Sequence, residues 1–295
     1  MTAPRDLSGL LVLNKPIGIT SRDAIDRISR PLRKTKVGHA GTLDPLASGV
    51  LVVCVGPATR LIEYVQRMPK AYRTVVRLGA RSDTLDADGT IVEEVDPRVP
   101  TVDEVQAAIA TQVGEIEQVP PQFSALKVAG KRAYDVARAG GAVELAARKV
   151  AIYRIEMIAY DWPLLTIEVD CGSGTYIRSI ARDVGEALGC GGLVQVLTRT
   201  RIGPFAIEGA VDPLALDPSA IPSLLRPAIE ALAGLATELI SAEQVGQILQ
   251  GRAIEVSQHF AAGDEVALVG PGGDLVAVAE VGADGRLHPR RVLVH

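Results

Sequence analysis

An α+β fold is predicted for this chain on three observations. Strand-like apolar runs and alternations recur along most of its length, and some follow one another directly as paired strands. A few amphipathic stripes at spacings of three and four mark helices that would flank them. The last sixty residues break into short strands separated by Gly and Asp turns, the pattern of a small β barrel. At 295 residues the length suits one large body with a small appended module, divided at about 1–236 and 237–295.

Leu10-Leu11-Val12-Leu13-Asn14-Lys15-Pro16 reads as a strand ended by proline, and Thr20-Ser21 then caps a helix carrying Ile25, Ile28 and Leu32 on one stripe. Val50 to Val55 is continuously apolar, as in a strand buried on both faces. Strand patterns follow at Ala71 to Leu78 and around Thr90 to Val95, with Asp88-Gly89 as a tight-turn signal between them. A helix is expected from Val102 to Val113. From Pro120 the chain loses regular patterning, and the basic stretch up to Lys149, with Gly140-Gly141, reads as a mobile excursion from the sheet. Val150 to Ile158 and Leu164 to Cys171 alternate as paired strands. Gly172 to Thr175 turns into a helix striped by Ile177, Ile180, Ala181, Val184 and Leu188, and Leu193 to Arg201 is the last strand of the body. A Pro- and Ala-rich connection from Asp212 to Ala236 wraps that body, followed by a short helix from Ser241 and strands at 265–269, 275–281 and 291–294.

Composition narrows the function classes. Hydrophobic residues make up 47% of the chain, yet no run approaches the 18 or more apolar residues of a membrane span. The N-terminus lacks a signal-peptide core, and three widely spaced cysteines give neither a disulfide framework nor a metal site, so a reducing, cytoplasmic setting is expected. Cys54 and Cys171 fall in apolar strand patterns and read as buried structural thiols. The net charge of −4 argues against a nucleic-acid partner, but the charge is segregated. Residues 1–40 hold eight Lys or Arg against three acids, residues 121–150 six against two, and residues 82–104 eight acids against Arg98 alone. A phosphate-facing surface is therefore compatible with an acidic total.

The most informative stretch is Gly38-His39-Ala40-Gly41-Thr42-Leu43-Asp44-Pro45-Leu46-Ala47-Ser48-Gly49. Gly41 and Gly49 tolerate positive φ, and Pro45 pushes Asp44 out of the α region, so a carboxylate is displayed on a rigid loop anchored by the strand after it. By local pattern, Asp44 suits either chemistry or turn formation. A second stretch, Gly174-Thr175-Tyr176-Ile177-Arg178, places Arg178 in the first turn of a helix, where free N–H groups favour anions.

Both stretches, together with Gly56-Pro57-Ala58-Thr59-Arg60, resemble motifs of the bacterial TruB type of tRNA pseudouridine synthase, and the resemblance covers nearly the whole chain. It implies a mixed, mainly antiparallel sheet as the catalytic body, a thumb-like insertion at about 124–150 that closes over RNA, and a C-terminal module resembling the PUA RNA-binding barrel, the last on Gly251 to Leu293. It implies Asp44 as the catalytic residue, Arg178 as its partner, and Tyr72 as the residue that stacks on the target base and acts in C5 deprotonation. Tyr176 and Leu197 would line the uridine pocket, and His39 would fill the space left by a flipped-out nucleotide. Lys15, with Pro16, matches a motif supporting the pocket floor and is counted with the RNA-facing residues. Lys127, Lys131 and Arg132 of the thumb would meet phosphates, with Arg148 and Lys149 available beside them.

The implied reaction is isomerisation of uridine to pseudouridine at position 55 in the TΨC loop of tRNA. It consumes nothing, so no cofactor and no metal is expected, and His39 has no neighbouring Cys or second His in the sequence. The expected partner is the tRNA stem-loop, bound by a monomer with no membrane and no obligatory protein partner. Two other classes share parts of this pattern: a guide-dependent, dyskerin-like synthase, and a non-catalytic protein that binds or folds tRNA.

Overall fold

The computed structural model describes residues 7–32, 35–123, 127–128, 131–132 and 145–293, with the side chains of 127–128 and 131–132 excepted. The chain runs through β1 (Gly9–Lys15), α1 (Ser21–Ser29), β2 (Val37–His39), β3 (Ala47–Val55), α2 (Ile62–Arg67), β4 (Lys70–Leu78), β5 (Ala80–Ser82), β6 (Ile91–Glu93) and α3 (Val102–Ala110). It continues with β7 (Gly114–Gln118), β8 (Lys127–Val128), β9 (Lys131–Arg132), β10 (Arg148–Asp161), β11 (Leu164–Cys171), α4 (Ile177–Ala187), β12 (Gly192–Ile202) and β13 (Phe205–Ala206).

One nine-stranded sheet forms the body, in the order β1-β3-β12-β4-β11-β10-β7, with β2 paired to β3 and β13 to β12. All its ladders are antiparallel except β12 against β3, where Leu197 faces Ala47 and Arg199 faces Gly49. The apolar run of β3 explains its place: from Gly49 to Val55 every residue is buried, so neither face of the strand meets water. Helices α1, α3 and α4 cover one face, with Ile25, Ile28, Val105, Ile109, Ile180 and Val184 meeting Leu51, Val53, Ile167 and Val169. The capping boxes Thr20/Asp23 and Thr101/Glu104 start α1 and α3. Helix α3 ends three residues before the expected Val113, at Ala110, and exposed Val113 lies beyond it.

The expected hairpin turn at Asp88-Gly89 is a longer loop. Strands β5 and β6 pair, but residues 83–90 between them wrap around Asp86, which is 3% exposed. Most of the thumb-like insertion lies outside the described residues, as do Arg33 and Lys34; the backbone of Lys127 and Lys131 pairs with Arg132 and Val128 in a minimal ladder.

After β13 the connection runs along the outer edge of the sheet, where Leu10 and Arg226 exchange backbone hydrogen bonds and Val211 lies against Leu13. The C-terminal part contains β14 (Ala236–Leu239), α5 (Ala242–Leu249), β15 (Ile254–Glu255), β16 (Glu265–Val269), β17 (Leu275–Val281) and β18 (Arg286–Val292). Its five strands follow the order β14-β16-β17-β18-β15, a curled half-barrel with two edges rather than a closed barrel. Strand β18 starts five residues earlier than the sequence pattern suggests, because Arg286 to Arg290 alternate weakly and are drawn into the sheet by pairing with β17 and, at Arg286 and Leu287, with β15. Its outer core is Ile248, Val266, Leu268, Ala279 and Leu287, while Ala267, Leu275, Val278 and Leu293 pack onto Leu10, Val52, Leu61, Tyr64 and Phe205 of the body. Among the described residues, no helix is long and apolar enough to cross a membrane.

Candidate active site

The loop between β2 and β3 is fastened from three sides. Ser21, at the start of α1, accepts the N–H of Leu43 through its Oγ at 2.8 Å and donates to the Leu43 carbonyl at 3.0 Å. Gly41 adopts a φ of +121°, which turns the loop at a conformation other residues resist. From β12, Arg199, 2% exposed, donates through Nε to Val50 O at 2.8 Å and through its other nitrogens to Gly41 O at 3.1 Å and Thr42 O at 3.4 Å. These contacts hold Asp44 at the mouth of a cavity of about 290 Å³.

Arg178, in the first turn of α4, reaches Asp44 Oδ2 from Nη2 at 2.9 Å. Its other nitrogen, Nη1, donates to Asp86 Oδ2 at 3.0 Å and Thr84 O at 3.0 Å, and Nη2 also donates to Phe123 O at 2.9 Å. The guanidinium is therefore a fixed fork between two carboxylates, one buried and one facing the cavity. Asp86 is itself held by the Thr84 hydroxyl at 2.6 Å and the Asp88 N–H at 3.1 Å.

The charge state of Asp44 is a balance. Its side chain is 43% exposed, but Leu43, Ala47, Ile177 and Leu197 surround it, and this desolvation lifts its pKa above the ordinary carboxylate value. Arg178 pulls it down, Asp86 pushes it up, and Lys15 and Asp88 add smaller effects of either sign. Arg178 thus acts in the expected direction, but burial outweighs it.

Tyr72 on β4, Tyr176 and Leu197 all line the cavity. Burial raises the pKa of the Tyr72 phenol, and Arg199 beside it pulls the other way. Tyr176 is the N-cap of α4, and its backbone is clamped by Gln118, which accepts its N–H at 2.8 Å and donates to its carbonyl at 3.1 Å. Tyr176 therefore precedes the first turn, and its own N–H is already satisfied. His39 lies at the end of β2, half-buried, and its Nδ1 has no hydrogen-bond partner among the described residues. Burial lowers its pKa.

Lys15 departs from its RNA-facing assignment. It is 0% exposed and donates to Pro16 O and Ile19 O at 2.8 Å each, so it offers no surface to a ligand. Its pKa is lowered to about 8, chiefly by burial. The side chains of Lys127, Lys131 and Arg132 lie outside the described residues. All three cysteines are free and buried.

Comparison with known proteins places the chain in a family. Residues 29–177 match the model of the TruB family pseudouridylate synthase N-terminal domain, and residues 178–228 and 239–293 match two C-terminal domain models of the same enzymes. The chain belongs to the TruB family of pseudouridylate synthases. The tRNA pseudouridine synthase B of Ralstonia pickettii (strain 12J) is 45% identical over 90% of this chain and 86% of that protein. That of Cupriavidus metallidurans is 43% identical over 98% and 95%. Among solved structures, the archaeal box H/ACA sRNP Nop10-Cbf5 complex is similar at 25% identity and a TM-score of 0.73, covering 99% of this chain and 89% of that one. A Cbf5-Nop10-Gar1 complex, at 24% identity and a TM-score of 0.74 over 98% and 85%, shares the fold.

Four residues of this TruB-family site escaped the sequence reading. Asp86 sat in an acidic stretch that looked like solvated surface, Gln118 at a strand end, Lys70 one residue before the strand pattern at Ala71 to Leu78, and Arg199 inside the pattern at Leu193 to Arg201. The signal that could have found Arg199 is a cation interrupting a strand otherwise bound for the core.

Proposed function

We propose that the chain isomerises uridine to pseudouridine at position 55 in the TΨC loop of tRNA. The observation that carries this reading is the cavity itself: Asp44, paired to Arg178, faces a space walled by Tyr72, Tyr176 and Leu197 that is suited to one flipped-out base. Extruding the target costs roughly a few kcal/mol of stacking, which Tyr72 and Tyr176 can replace. Asp44 then initiates cleavage of the C1′–N1 bond, by attack at C1′ or C6 or by removing a sugar proton. The freed base rotates, C5 joins C1′, and Tyr72 takes part in removing the C5 proton. His39, half-buried at the end of β2, would occupy the space the nucleotide leaves. Residues 1–236 act as the catalytic body and 237–295 as an RNA-binding module, in a monomer that needs no guide RNA.

The test uses a tRNA transcript tritiated at uridine C5, with label released to water as the readout. Wild type is expected to release about one label per tRNA at the T loop, and Asp44→Asn to bind tRNA with unchanged affinity and release none. Turnover by Asp44→Asn would remove Asp44 from the mechanism. Tight binding without release by wild type would favour the guide-dependent or purely RNA-binding classes.

A further inference from the structure

Among the described residues, two cations in the cavity, Lys70 and Arg199, form no ion pair with a carboxylate. Lys70, 7% exposed at the start of β4, donates to the carbonyls of Met68, at 2.6 Å, and Gln66. Arg199 donates to the carbonyls of Val50, Gly41 and Thr42. Both side chains line the same cavity as Asp44, Tyr72 and Leu197. Their partners are neutral dipoles, which fix direction without cancelling charge. Arg178, by contrast, is paired with both Asp44 and Asp86. Burying a cation costs several kcal/mol unless an anion compensates it, so two such groups at one wall call for negative charge that arrives with the ligand.

The geometry points to Lys70 and Arg199 as the electrostatic counterpart of the uracil ring, stabilising the negative charge that builds on it as the glycosidic bond is broken. This rests on the reading of the cavity as a uridine site. Breakage of C1′–N1 leaves its electron pair on the ring, spread over N1, O2 and O4. After rotation a ring electron pair at C5 bonds C1′, the C5 proton leaves to a base and N1 takes up a proton, so atoms and electrons balance without a co-reactant. If Asp44 adds to C6 instead, the displaced pair again moves onto the ring, toward O4. Every route open to Asp44 therefore passes negative charge through the ring, and fixed cations in a site of low dielectric act most strongly where charge develops. Burial and the neighbouring Arg199 lower the Lys70 pKa to about 8, which still leaves the ammonium form dominant at neutral pH.

The experiment compares Lys70→Met, Lys70→Arg and wild type in single turnover on two tRNA transcripts, one carrying uridine and one 5-fluorouridine at the target, following disappearance of the target nucleoside. Fluorine stabilises the ring anion by itself, so it should relieve the need for the cation. Lys70→Met is expected to lose about 100-fold in rate on uridine at unchanged tRNA affinity, to lose less than 10-fold on 5-fluorouridine, and to regain most of the rate as Lys70→Arg. Equal losses on both substrates, a wild-type rate for Lys70→Met, or an arginine variant as slow as methionine would overturn the proposal. If Lys70→Met does not fold, Lys70→Gln against Lys70→Arg makes the same comparison. Wild type leaving the uridine transcript intact would instead sink the functional reading, and the inference with it.

Discussion

Arg178 carries one positive charge between two carboxylates that differ in what they face. The Asp86 side chain is 5% exposed and cannot exchange its partner for water, whereas Asp44 opens to the cavity. Arg178→Gln should therefore have two separable effects. It leaves Asp86 as a buried, uncompensated charge, which should cost about 3 kcal/mol of stability. It also removes the main influence lowering the Asp44 pKa, already raised by burial, so the acidic limb of the kcat/KM profile should move to higher pH. The double variant Arg178→Gln/Asp86→Asn should recover stability in thermal unfolding but not activity. A single variant that unfolds at the wild-type temperature with an unmoved acidic limb would contradict both arguments.

At the scale of elements, the site depends on the close approach of β3 and β12. Gly49 sits at a φ of +103°, and a Cβ there would lie 2.2 Å from the carbonyl oxygen of Arg199 and 2.9 Å from its carbonyl carbon. Backbone atoms cannot swing aside as a side chain can, so Gly49→Ala must separate the parallel ladder or twist the loop. We expect it to destabilise the protein by about 3 kcal/mol or more and to lower kcat together with it, because the displaced strand carries Arg199 away from Gly41 O and Thr42 O. Hydrogen exchange at the amides of 41–50 reads this directly; protection equal to wild type would show that the strands tolerate the methyl group.

Across the whole molecule, the body and the C-terminal half-barrel meet at α2 and the turn before it. Tyr64 donates to Glu265 at 2.6 Å, Arg291 reaches Glu63 at 2.6 Å and lies over the Tyr64 ring at 5.4 Å, and Arg60 donates to the Val292 carbonyl. The basic residues of the His288 to Leu293 motif are thus engaged within the protein: Arg291 on the body, Arg290 on Glu280 and His288 on Asp284. Tyr64→Phe removes a hydrogen bond to a carboxylate and should cost about 1–2 kcal/mol, seen as a lower midpoint in denaturant unfolding. Since α2 leads into Gln66 and Lys70 at the cavity wall, the loss should appear in kcat as well as in stability; a change confined to the melting curve would show the two parts to be mechanically independent.

Periodicity placed β1, β3, β4, β10, β11, β12, α1 and α4 because each buries a stripe or run that shows in the order of residues alone. The loop with Asp44 was legible for a related reason: Gly41, Pro45 and Gly49 impose their backbone conformations locally. The cavity was not legible in that way. Asp44 and Arg178 lie more than a hundred residues apart, and their 2.9 Å contact depends on β12 and β4 lying between β3 and β11. Lys70, Asp86 and Gln118 carry no local signal, since a polar side chain at a strand end or in a loop looks the same whether it meets water or a buried partner. Sequence alone determined which segments fold and which loop displays the carboxylate. Only the tertiary structure decided which charges share a low-dielectric site, because Coulomb and desolvation energies depend on distance and burial, which chain order does not encode.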